Sequence, residues 1–156
     1  MTSSNCDTAV GEPPKPEPPM PPYDESVFAL TTDGEPLWRW RAYAVDNDDF
    51  AYGASTNLFQ IELPGEGLVD VVGVGQKDGH YRVLDRDGVN RFTGVDCTVA
   101  GADGVVGCVD PGVGGAPGEP AGFPAFPYWD TQVVPGGDAG GFILTASADE
   151  TRRRVY

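Results

Sequence analysis

Turns punctuate this chain more than any other feature. Asp33-Gly34, Pro64 to Gly67, Lys77-Asp78-Gly79 and Asp87-Gly88 each close a short run of β-forming residues. Asp-Gly pairs favour the tight reversals that join antiparallel strands. The runs between them read as strands: SVFAL (26–30), LWRWRAY (37–43), TNLFQIEL (56–63), LVDVVGVGQ (68–76), YRVLDR (81–86), PYWDTQVV (127–134), FILTASA (142–148) and RRRVY (152–156). In the second run Leu37, Arg39 and Arg41 alternate with Trp38, Trp40 and Ala42, the period of a strand with two unlike faces. With 22 glycines and 15 prolines the chain is poorly suited to helix, and no segment reads as one. The expected class is all-β, with strands joined by hairpins.

The 156 residues suffice for one domain, 1–156. Residues 9–22, AVGEPPKPEPPMPP, read as an extended proline-rich surface loop, and residues 89–127 as an irregular Gly/Pro-rich insertion. Ten Lys and Arg face 24 Asp and Glu, a net charge of -14. Such a surface repels nucleic acid and anionic lipid, so neither is expected as a partner. No apolar run is long enough for a spanning helix, and the N-terminus lacks the basic-then-apolar pattern of a signal peptide. Cys97 and Cys108 enclose the short TVAGADGVVG loop and are placed to pair; a bridge there would imply an oxidising compartment. Zinc is disfavoured by a single histidine and the lack of a CxxC motif, and Cys6 is left odd.

A weak internal repeat runs through the chain. SVFALTTDGEPLWRWRAY and HYRVLDRDG…PYWDTQVV share a plan of apolar strand, Asp-Gly turn and tryptophan-bearing strand, the second copy being split by the insertion. Strand–turn–Trp units suggest a β-propeller. FALTTDGEPLW resembles the tryptophan-docking repeat of quinoprotein dehydrogenases, with Thr31 where that repeat has Asp and one residue fewer before Gly34. DNDDFAYGASTNLF, VVGVGQKDGHYRVLDRDG and PYWDTQVVPGGDAGGF together resemble the alcohol dehydrogenases that depend on pyrroloquinoline quinone (PQQ), the polyvinyl-alcohol-dehydrogenase-like branch above all.

That resemblance covers nearly the whole chain and carries several implications. The family fold is an eight-bladed propeller, of which this chain would be an internal fragment of roughly two four-stranded antiparallel blades. The activity would be alcohol oxidation with PQQ and calcium, on a small or polymeric alcohol, with a cytochrome c-type protein as possible electron acceptor. The protein would be periplasmic or extracellular, its export signal lying upstream in a longer parent. Asp49, the last acid of the pair formed with Asp46, takes the place of the catalytic base. Lys77 in QKDG takes that of the residue bonding the quinone carbonyls. Asn5 in TSSNC takes that of a calcium ligand, beside Asp49. Ala51 stands where lanthanide-using relatives carry an extra Asp, which favours calcium. The family's vicinal cysteine pair and an earlier-blade glutamate ligand have no counterpart here.

The chemistry asks for these residue types: a carboxylate to take the hydroxyl proton, oxygen ligands for a hard cation, and an ammonium where a quinone gains charge. Taken alone, Asp49 is a solvated turn residue, Lys77 a hairpin charge and Asn5 a loop residue. The tryptophans read as packing, with Trp38 and Trp129 as wedges between blades. His80 reads as an exposed strand residue, TRRR as a solvated turn, and GGDAGG as a turn bringing backbone close to the propeller axis rather than a phosphate loop. The alternative to a dehydrogenase fragment is a non-catalytic propeller scaffold or binding module, or a truncated inactive product.

Overall fold

The computed structural model describes residues 23–43, 50–101, 104–109, 126–137 and 140–156. Among them there is no helix, and nine strands form three sheets. The all-β expectation therefore holds for the described residues. β1 (Val27–Leu30), β2 (Pro36–Arg41) and β6 (Cys108–Val109) make the first sheet. β3 (Asn57–Leu63), β4 (Gly67–Gly75), β5 (His80–Asp85) and β7 (Trp129–Gln132) make the second, in that order and antiparallel throughout. β8 (Ala148–Asp149) and β9 (Arg154–Val155) close the chain as a small hairpin.

Alternation along the strands sorts the side chains into layers. On β2, Trp38 and Trp40 face inward and are 2% and 0% exposed. With Val27 they pack on Val72 and Val74 of β4 and Leu84 of β5, which share one face of the four-stranded sheet. The opposite face presents Phe59, Val69, Val71, Tyr81 and Val83, and it is covered by Phe142, Ala146 and Val155 of the C-terminal segment. The four-stranded sheet is thus apolar on both sides, which explains why LVDVVGVGQ reads as a nearly continuous β-branched run.

The two copies of the repeat meet at a tryptophan. The Trp38 indole lies against Gly88 in the Asp87-Gly88 turn, where an added Cβ would run into the ring. Its Nε1 donates to the Arg86 carbonyl at 2.7 Å. The tryptophan of the first copy is therefore docked on the turn of the second. Within each copy the strand before the Asp-Gly turn pairs antiparallel with the tryptophan strand after it, β1 with β2 and β5 with β7.

Two expectations are corrected. Trp129 is not buried like Trp38: it is 47% exposed on the edge strand β7, touching Tyr81 edge-on at 6.2 Å between ring centroids. FILTASA is strand only at Ala148, where β8 begins. Before that its polar groups bond elsewhere. Phe142 N donates to Gln76 O, the Ala146 carbonyl accepts from the Asn57 side chain, and Thr145 Oγ1 accepts from Ser55 N.

Within the insertion, β6 returns to the first sheet and pairs parallel with β2 at Trp40 and Arg41. A Cys97–Cys108 disulfide holds it there.

Candidate functional site

The β4–β5 connection, Gln76-Lys77-Asp78-Gly79, is a tight turn: Gly79 N donates to Gln76 O at 3.0 Å, with Gly79 at φ +86°. That left-handed conformation, together with a backbone carbonyl (Val134) where a Cβ would go, requires glycine. Lys77 stands at the apex, half-buried. Its amide donates to Ala51 O at 3.2 Å and its carbonyl accepts from Gly137 N at 3.1 Å. The glycine loop presses onto this turn, with Gly136 against the Asp78 backbone and Gly141 against that of Lys77.

Below the turn lies a buried polar network centred on Arg82, which is fully buried. Its Nη2 pairs with Asp78 Oδ2, its Nη1 donates to Gln76 Oε1 at 2.5 Å and its Nε to Asp130 Oδ2 at 3.1 Å. The guanidinium also lies 5.8 Å from the Trp40 ring centroid. Asp78 accepts a second bond from the Tyr43 hydroxyl at 2.8 Å, and Gln76 Nε2 donates to Phe50 O at 2.5 Å. His80 is half-buried rather than exposed, its Nδ1 2.5 Å from Asp130 Oδ1. Burial alone would lower the Arg82 pKa, but the neighbouring Tyr52, Asp78 and Asp130 outweigh it and hold the guanidinium charged. Burial, with help from Asp78, raises the Tyr43 pKa, so its hydroxyl stays a donor. Burial likewise raises that of Tyr52, whose hydroxyl has no hydrogen-bond partner among the described residues.

Of the residues singled out in the sequence, the structure places Lys77; Asp49 and Asn5 lie outside the described residues. The neighbours of Asp49 are informative. Ala51, two positions after it, bonds the Lys77 amide, while Tyr43 and Phe50 on either side of residues 44–49 stack at 5.5 Å between ring centroids. Among the described residues no group of three or more His, Cys, Asp or Glu could hold a metal ion, so a calcium site would rest on Asn5 and Asp49. The half-buried Lys77 is of the charge and donor type that an anionic, carbonyl-bearing cofactor would require. Sequence reasoning missed Arg82, Gln76, Asp78, Tyr43 and Asp130. The available signal was alternation on β5, which puts Arg82 on the same face as buried Leu84 and so demands acids beside it.

A second cluster is structural. Buried Asp85 accepts from the Tyr128 hydroxyl at 2.7 Å and from Asp87 N at 2.7 Å, and pairs with Arg91 at 3.4 Å, fastening both ends of the insertion. No family model, curated protein or solved structure matches this chain.

Proposed function

We propose that this chain is a piece of a quinoprotein β-propeller that oxidises an alcohol with PQQ and calcium. The observation that carries the reading is the bonding of the Lys77 turn to both flanks of the acidic segment. Gln76 bonds Phe50, Lys77 bonds Ala51 and Asp78 bonds Tyr43, so the turn of the proposed quinone-binding residue is bonded to residues that flank Asp49 in the sequence. The docking of Trp38 on the Gly88 turn supports the propeller part, since it couples two strand–turn–Trp units face to face.

In this reading Asp49 takes the hydroxyl proton and Asn5 with Asp49 holds the calcium. Lys77 fixes the orientation of the cofactor and offsets negative charge gained on it. PQQ, when bound, supplies the electrophilic carbonyl that accepts hydride, and calcium the Lewis acidity. Substrate is a small or polymeric alcohol, electrons leave to a cytochrome c-type acceptor, and the protein works in the periplasm or outside the cell.

The test is dye-linked alcohol oxidation by the longest native protein that carries this sequence, loaded with PQQ and calcium. Asp49→Asn should lower turnover at least ~100-fold, and Lys77→Met should weaken quinone binding. Activity unchanged in Asp49→Asn would refute the assignment. A second reading, a non-catalytic scaffold or binding module, is favoured by one observation: every guanidinium nitrogen of Arg82 bonds another residue of the chain, as in a purely structural network. That reading expects no quinone retention by the same protein.

A further inference from the structure

Ten basic residues stand in a chain of net charge -14, and three of them are consecutive: Arg152, Arg153 and Arg154. They fall at the turn between β8 and β9, with the side chains of Arg152 and Arg153 69% and 73% exposed. Among the described residues the backbone of that turn is bonded only within its own hairpin. Arg152 N donates to Asp149 Oδ1 at 3.0 Å and Arg153 N to Glu150 O at 3.3 Å. Arg153 holds φ +52°, in the left-handed region that a residue with a Cβ disfavours. The strands on either side are two residues long and are extended by one exchange between Ser147 and Tyr156. Such a hairpin opens locally at lower cost than the larger sheets.

None of the other seven bases offers a comparable peptide bond. Arg39, Arg41 and Arg82 are buried on strands. Lys77 is half-buried, its backbone bonded to Ala51 on one side and Gly137 on the other. The Arg86 amide donates to Asp70 O and its carbonyl accepts from Trp38 Nε1. After Arg91 the side chain of buried Asn90 pins the next two amides, those of Phe92 and Thr93. Lys15 is followed in the sequence by Pro16, which lacks an amide hydrogen and has a fixed φ.

We propose that the β8–β9 turn is a proteolytic processing site, cut after Arg152 or Arg153 by an endopeptidase whose specificity pocket carries a carboxylate. That carboxylate takes the guanidinium as a two-pronged pair. The turn must first give up the Arg152–Asp149 and Arg153–Glu62 pairs, which lie at the surface and hold it weakly. The step is hydrolysis. The amide C–N bond breaks, the hydroxyl of a water molecule goes to the arginine carbonyl carbon, and its hydrogen goes to the nitrogen of the next residue. The cut severs β9 from β8 and leaves Val155 held by its pairing with Ala148 and its packing on the second apolar cluster.

The experiment is limited digestion of the folded protein with a trace of trypsin, the products being mapped over time by mass spectrometry. Within this sequence the earliest cut should follow Arg152 or Arg153, while the bonds after Lys77, Arg86 and Arg91 are still intact. The triple variant Arg152→Gln/Arg153→Gln/Arg154→Gln should lose intact protein at least ~tenfold more slowly. The wild-type map decides the matter even should that variant fold poorly. A first cut after Lys77, Arg86 or Arg91 would overturn the proposal, and so would cuts at all these bases appearing together, since the whole fold would then be opening. A triple variant that folds like wild type and is digested at the wild-type rate would overturn it as well.

Discussion

Two tryptophans of the repeat differ in environment, and their substitutions should differ accordingly. Trp38 is 2% exposed, packed near Phe126 and docked on Gly88, whereas Trp129 is 47% exposed on an edge strand. Trp38→Ala should cost about 3–5 kcal/mol and Trp129→Ala markedly less in urea unfolding. Equal losses would contradict the layer assignment. Tyr81 sets a pH limit. Burial raises its pKa from 10.0 to about 12, so between those values the folded state holds a proton that the unfolded state releases. The associated stability is complete below pH 10 and is lost as pH rises toward 12, amounting to about 3 kcal/mol at most. Tyr81→Phe should lessen the alkaline fall in melting temperature, the remainder coming from Tyr43, Tyr52 and Tyr128, whose pKa values burial also raises; an unchanged slope would contradict it.

At the level of strands, what could be read from sequence was local. β1 to β5 and their turns follow from alternation and from Asp-Gly and Pro-Gly punctuation, because those signals depend only on neighbours along the chain. β6 was illegible: two residues carry no period, and its place beside Trp40 is fixed by a disulfide and by a partner strand far away in sequence. FILTASA misled because its composition suits a strand, while its Phe142 amide bonds the Gln76 carbonyl, its Ala146 carbonyl the Asn57 side chain and its Thr145 hydroxyl the Ser55 amide. The candidate site divided the same way. The turn that carries Lys77 was legible through QKDG, but the fork of Arg82 requires knowing which strands pair. The disulfide gives an element-scale test. The Cys97→Ala/Cys108→Ala double variant should lose about 2–4 kcal/mol, with exchange rising first in β6 and the adjoining loop. Stability equal to wild type would show that β6 is held without the bond.

Across the whole molecule, the four-stranded sheet is the middle of three layers, and the candidate site lies where its β4–β5 turn meets the flanks of the acidic segment and the glycine loop. Apolar surface persists on the side away from that turn. A groove of about 390 Å³ runs beside Trp129, Phe59, Ile61 and Val155, rimmed by Glu62 and Arg153, which pair at 2.6 Å. Its neighbour in the proposed longer propeller would be the next sheet, as Trp38 is covered here. The net charge of -14 favours a cationic partner over an anionic one, consistent with divalent-ion binding and with a basic electron acceptor.

The most direct measurement is gel filtration of the protein with PQQ, with and without calcium, followed by quinone absorbance in the protein peak. The account predicts quinone eluting with wild-type protein only when calcium is present, and lost in Asp49→Asn and Lys77→Met variants that keep the wild-type elution volume. Quinone that elutes wholly in the small-molecule fraction, from a folded wild-type protein with calcium in excess, would contradict it.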